Sequence, residues 1–405
     1  MPFELFVALR FLKEGRAQTA LILGGTTIGV AVIIFLSGLI GGLQATLIDQ
    51  TLSAQAHVYL KRPGRVARVV APPGGEAVVA RLEKTPEREK SIEQWQALIE
   101  EVRATPGVTA ATPTAAGSAF ASRGELSRSV ALRGLEPQTF DQVIKILPRV
   151  VAGRFRVEGT EAVIGTVLAL DLGVEVGDKL RVTTPQGRGD VFTVSGIFDV
   201  GNKDVNQRWV LVSLRQAQTL LDLAGGITTI EVKVDQVFDA ESMSQELGAV
   251  TGLTAESWMK LNRQLLTGLQ AQSSSSVMIQ TFVVIAVALG IASVLGVSVI
   301  QKSREIGILK ATGTSTGTVL RIFLIEGAIV GVVGSVLGGV IGAGLSTFFA
   351  HAVKNPYGES LFPIDLSPRL FLTAGAVALV TGLLSAWYPA RHAARLDPAQ
   401  VIRGG

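Results

Sequence analysis

The residues best placed to do chemistry are Arg304, Glu305, Ile306, Gly307, Ile308, Leu309, Lys310 and Gly313, a short charged stretch between two long apolar runs. Ile306 and Leu309 are three apart and Ile306 and Lys310 four apart, so a short helix turns an apolar edge and a cationic end the same way. Gly313 is placed to end that helix. What this offers is a small face, part apolar and part cationic, although the same charges also suit a solvated connector. Covalent chemistry finds no support. His57, His351 and His392 are scattered and the chain has no cysteine, so the sequence offers no metal site, catalytic triad or thiol nucleophile. No Gly-x-x-x-x-Gly-Lys-Ser/Thr run occurs; the glycines from Gly165 to Gly177 serve turns rather than a phosphate loop.

The elements that must position this stretch are membrane spans. Residues 277–300 carry no Asp, Glu, Lys or Arg, and at about 1.5 Å per residue they give roughly 36 Å of helix, enough to cross a hydrocarbon core of about 30 Å. A second apolar run follows the tip, so the two form a helical hairpin. Its glycines fall in rows at four-residue spacing, Gly327 and Gly331 with Ser335 on one row and Gly334, Gly338 and Gly342 on another. In lipid such rows let backbones approach closely. Arg321 and Glu326 lie in the inner part of this span, where an ionised group is costly, and are expected either to snorkel or to pair with a neighbouring helix.

The expected organisation is an interfacial helix at 1–18, a first span with the start of a stalk at 19–48, and a large domain at 52–254. A stalk at 255–276, spans at 277–300, 318–350 and 370–388, a tip at 301–317, an outer loop at 351–369 and a tail at 389–405 complete it. The apolar region of the first span is too long for a cleaved signal peptide and reads as a retained helix. Within the large domain, strands are predicted around residues 57–60, 127–135, 179–184, 190–198, 209–214 and 228–234, with a break at 71–75. A helix capped by Ser91 and Gln94 is predicted at 91–104, and another at 240–247. Trp258, Leu261, Leu265 and Leu269 keep helical spacing, which makes 255–272 a stalk continuous with the second span, and Ser273 to Ser276 interrupt the pattern. The fold class is therefore an α-helical membrane protein with four transmembrane helices and a large α+β extracytoplasmic domain between the first and second.

Composition agrees. Of 405 residues, 48% are hydrophobic and only 17% charged, with 45 glycines, as expected of a chain divided between lipid and water. The net charge of +4 does not point to nucleic acid, because the basic residues cluster beside apolar runs. Arg10, Lys13 and Arg16, then Lys302, Arg304 and Lys310, then Arg391, Arg395 and Arg403 place both ends and the tip in the cytoplasm and the large domain outside.

Residues 304–313, read with Phe323-Leu324-Ile325-Glu326-Gly327-Ala328 and the ending Tyr388-Pro389-Ala390-Arg391, resemble permeases of the MacB, FtsX and LolC/LolE type. In the outer domain, Gly177-Asp178-Lys179 resembles the strand opening of that family's core domain, which implies an inserted subdomain at about 115–221. The resemblance covers essentially the whole chain. It implies that the tip is a coupling helix docking on separate ABC ATPase subunits, with ATP and Mg held by that ATPase and no cofactor held by this chain. It further implies a bacterial inner-membrane location, a second permease copy or paralogue, surrounding lipids, and a lipoprotein or other extracytoplasmic cargo, with a periplasmic partner as an option. Phe6-Val7-Ala8-Leu9-Arg10-Phe11-Leu12 and the length lean to the LolC/LolE version, which releases lipoproteins. The alternatives are MacB-like efflux, FtsX-like signalling to a cell-wall hydrolase, whose relatives have a smaller outer domain, and an adhesion or receptor protein, which leaves the tip unexplained.

Overall fold

The computed structural model describes residues 3–64, 91–352, 364 and 366–395. The expected break at 71–75, most of the outer loop and most of the tail lie outside these. The chain divides into a helical unit, Met1–Thr46 with Thr267–Gly405, and a second unit, Leu47–Leu266.

The chain opens on α1 (Phe3–Glu14), then α2 (Arg16–Leu52). At 37 residues α2 is roughly 55 Å long, well beyond the thickness of a hydrocarbon core. The second unit follows in the order β1 (Val58–Lys61), α3 (Trp95–Ala104), β2 (Val108–Arg123), β3 (Leu126–Leu135), α4 (Pro137–Val143), β4 (Val150–Gly153), β5 (Glu161–Gly165), α5 (Thr166–Leu172), β6 (Lys179–Thr183), β7 (Gly189–Phe198), α6 (Lys203–Arg208), β8 (Trp209–Ser213), α7 (Leu214–Leu220), β9 (Thr229–Val234), α8 (Ala240–Thr251), β10 (Thr254–Ser257) and the single turn α9 (Trp258–Leu261).

Its strands form two connected lobes. β2 pairs with β3, β3 with β8, β8 with β5, β5 with β7, β7 with β6, and β6 returns to β2. This ring closes a six-stranded barrel, which removes the free edges an open sheet would expose. Alternate residues such as Leu132, Ile164, Leu180, Val182, Phe192 and Val210 are fully buried in one cluster. The other lobe runs β10-β1-β9-β2, with Ile99 and Val102 of α3 and Ala240 and Leu247 of α8 in the same cluster. The long strand β2 belongs to both, changing partner from β9 to β3 at Thr114. Its sequence is rich in Ala and interrupted by Pro113 and Gly117, so strand propensity does not reveal it; burial between β9 and β3 does. Across β2, buried Arg133 pairs with buried Glu231, and its guanidinium lies 4.0 Å over the Trp209 ring.

Two sequence expectations are corrected here. Helix α3 begins at Trp95, not Ser91: Ile92 bridges to Ile227 in extended form and Gln94 turns left-handed, so neither Ser91 nor Gln94 caps it. Residues 255–272 are not one stalk helix either, because Ala255 to Ser257 belong to β10, paired with β1. Trp258 is fully buried, its indole N–H bonded to the Val237 carbonyl at 2.8 Å. Its apparent place in a helical repeat reflects a core anchor followed by a new helix.

That helix is α10 (Arg263–Gln301), followed by α11 (Ser303–Ala311), α12 (Thr316–Ala352) and α13 (Pro368–Ala394). α10 continues unbroken through Ser273 to Ser276, since a serine hydroxyl can bond back one turn, as Ser275 does to the Ala271 carbonyl at 2.9 Å. With α2, the described residues thus contain four helices long and apolar enough to cross a membrane.

Candidate functional site: the charged tip and the helices that hold it

Helix α11 is short and its two ends are fixed by different means. At its C-terminus Gly313 takes φ +100°, and the N–H groups of Gly313 and Thr314 return to the carbonyls of Lys310 and Leu309 at 3.1 Å. This paired closure needs a left-handed residue, which glycine adopts without a Cβ clash. At the N-terminal break Lys302 is buried, 7% exposed. Its ammonium donates to the Phe11 carbonyl at 2.8 Å and lies 4.1 Å over the Phe11 ring. Burial lowers its pKa below the ordinary lysine value, against the favourable field of nearby carboxylates.

The structure divides the predicted tip residues between two faces. Ile306 and Gly307 turn inward, and Ile306 is 1% exposed in a cluster with Phe11, Val299, Ile322, Phe323 and Ala390. Leu309 packs at the edge of that cluster. Lys310 donates to the Ala394 carbonyl at 3.0 Å, placing a cation at the negative C-terminal end of α13. The apolar edge and the cationic end therefore do share a face, but it is the inner face, and it is occupied within the chain. Arg304, Glu305 and Ile308 point outward, Ile308 at 51% exposure, and Gly313 is also exposed.

The glycine rows of α12 meet different helices. A Cβ on Gly327 would lie 2.6 Å from the Gly382 carbonyl oxygen, and one on Gly331 would lie 2.9 Å from that of Ala378, both on α13. One on Gly334 would meet the Thr26 side chain at 2.6 Å, one on Gly338 the Thr27 carbonyl at 2.7 Å and one on Gly342 the Ala31 carbonyl at 3.1 Å, all on α2. Arg321 is largely exposed, with Glu4 of α1 at 4.0 Å, whereas Glu326 is 3% exposed and its Oε2 has no hydrogen-bond partner.

Sequence reasoning missed Lys302 as a buried group. The only signal was a basic residue at the first helix break after an uncharged span. It also missed the polar stitches between α2 and α10, where the Gln280 amide donates to Ser37 at 3.0 Å and Gln44 donates to the Leu269 carbonyl at 3.1 Å. Among the described residues no group of His, Cys, Asp or Glu could hold a metal ion.

Residues 19–250 match the MacB-like periplasmic core domain, and residues 277–398 match the FtsX-like permease C-terminal family. Over 99% of both chains, this protein is 26% identical to the lipoprotein-releasing system transmembrane protein LolC of Xylella fastidiosa (strain 9a5c). It is 25% identical to LolE of Haemophilus influenzae, covering 93% of this chain and 92% of that one. The macrolide export ATP-binding/permease protein MacB of Azoarcus sp. (strain BH72) is 27% identical, over 98% of this chain and 58% of that relative. Among solved structures, the periplasmic region of MacB from Actinobacillus actinomycetemcomitans shares 13% identity at a TM-score of 0.34, covering 54% of this chain and 95% of that one. The chain belongs to the MacB-like periplasmic core domain family, with an FtsX-like C-terminal region, and is a multi-pass membrane permease subunit of an ABC transporter of the LolC/LolE/MacB type.

Proposed function

We propose that this chain is the membrane subunit of a machine that uses ATP hydrolysis to release lipoproteins from the bacterial inner membrane. The observation that carries this reading is the alignment with LolC along 99% of both chains, outer domain and helices together. A separate ATPase, holding ATP and Mg, docks on the outward face of α11 through Arg304, Glu305 and Ile308. In this reading that face and both termini lie in the cytoplasm and the barrel-bearing domain in the periplasm, and the basic residues beside the spans support it.

The physical route begins with attachment. Ile306 and Leu309 fix α11 in the inner cluster, and Lys310 ties it to the end of α13. A push on the outward face therefore moves the helices rather than the tip alone. α10 has 39 residues without a break, roughly 58 Å, so displacement at its inner end is carried to its outer end. A second permease copy or paralogue gives the opposing lever, and lipids and cargo fill the space between.

The test is purification of the tagged chain in gentle detergent with mass spectrometry of what remains bound, then reconstitution with that ATPase. An ATPase with acylated lipoproteins, and ATP-dependent lipoprotein release from proteoliposomes, is the expected result. An ATPase with a soluble export adaptor and no lipoprotein replaces this reading with MacB-like efflux, and an ATPase with a wall hydrolase replaces it with signalling. No ATPase at all removes it.

A further inference from the structure

Two ionisable side chains of opposite sign, Lys302 and Glu326, are buried at the tip end of the helical unit, and no ionic bond joins them. Lys302 occupies the break between α10 and α11, 7% exposed, bonded to a neutral carbonyl. Glu326 lies on α12, 3% exposed, with an unpartnered Oε2. Packing brings their surroundings together: Val299 and Ile306, which bracket Lys302 in sequence, share a cluster with Ile322 and Phe323, one turn before Glu326. The Phe11 ring joins the two, 4.1 Å from the Lys302 ammonium and 6.1 Å from the Phe323 ring. Of the charges acting on Lys302, Glu326 is the strongest favourable one, ahead of Glu305 and Glu14, while Arg10 opposes them.

A lone ion in such a place is expensive, and two of opposite sign offset one another even without touching. An ionisable side chain inside a span is a candidate for function with a nameable partner. We propose that Lys302 and Glu326 are a charge-compensating pair, and that this pair is the positioning link holding the hinge of the tip helix to the third span. Lys302 then has two holds, the end of α1 through the Phe11 carbonyl and α12 through Glu326. A displaced tip trades one against the other. The pairing goes beyond the transport reading and requires neither the ATPase nor the cargo.

The chain is free of cysteine, so Ile308→Cys gives one labelling site on the exposed face of α11. A nitroxide there, in the full-length chain in lipid nanodiscs, reports how firmly the tip is held. Lys302→Met and Glu326→Gln should each cost the spectrum its immobilised component. The double variant, with neither charge buried, should lose no more of it than the worse single does, and Lys302→Arg should retain it. Packing loss alone predicts additive loosening, so a double variant more mobile than the worse single overturns the pair, as do singles identical to wild type. Should a single variant fail to insert, insertion becomes the readout: recovery in the double supports the pair and continued failure overturns it.

Discussion

The outer domain and the helical unit each pack internally in their own way, the first around large side chains in a barrel and the second also along rows of glycine. In the barrel lobe large side chains share the buried cluster with alanines, and Phe192, Leu132, Ile164 and Leu180 are fully buried. In the helical unit the closest approaches are made by glycine, with Gly327, Gly331, Gly334 and Gly338 set against backbone or the first side-chain atoms of α13 and α2. Water explains the difference. A domain in water gains by burying apolar area, so large side chains are rewarded. A helix in lipid gains nothing by exchanging lipid for leucine, and its association rests on close packing, which small residues permit.

The largest expected break in this comparison is Gly338→Leu. Its Cβ alone would lie 2.7 Å from the Thr27 carbonyl oxygen and from the Val30 Cβ, so α2 and α12 must part. Loss of a monodisperse, detergent-stable protein is the outcome to look for. The control is Gly296→Leu on α10, where nothing lies within 4 Å of the new Cβ and stability should hold. Next in size, Phe192→Ala should destabilise the outer domain by about 3–5 kcal/mol in denaturant titration of the full-length protein while leaving insertion intact. On the tip, Ile308→Asp should leave insertion unchanged and reduce ATPase retention by about tenfold or more, the size expected of an interface hot spot. Ile306→Asp, inside the cluster, should instead impair the fold. Equal effects of the two would erase the distinction between the faces of α11.

The smallest effect concerns His57, 6% exposed in the outer domain with its Nδ1 against the Val234 backbone. Desolvation lowers its pKa from the ordinary 6.5, so the unfolded chain takes up a proton at a higher pH than the native one. Below pH 6.5 the outer domain therefore loses stability as pH falls towards the depressed native value, and above it the contribution is complete. His57→Gln should flatten the slope of the denaturation midpoint against pH in that window.

The spans were legible because lipid demands a long uncharged run, and the tip because it interrupts two such runs. The glycine rows were visible as rows, since their spacing is a property of one helix. Strand β2 was not legible: its many alanines, Pro113 and Gly117 carry little strand signal, and it forms because β9 and β3 flank it. Trp258 misled for a related reason, as helical spacing cannot distinguish a stalk from a core anchor one turn before a helix.

By itself the sequence determined what local composition controls, namely how much of the chain enters lipid, where charge stops it, and which helix faces are small enough to touch. Tertiary structure alone decided the partners. It set one glycine row on α13 and the other on α2, turned Ile306 and Lys310 inward and Ile308 outward, and brought Lys302 and Glu326 to the same buried end of the helices. Those outcomes depend on contacts between residues far apart in the chain, and no periodicity within a single helix encodes which neighbour will fill its groove.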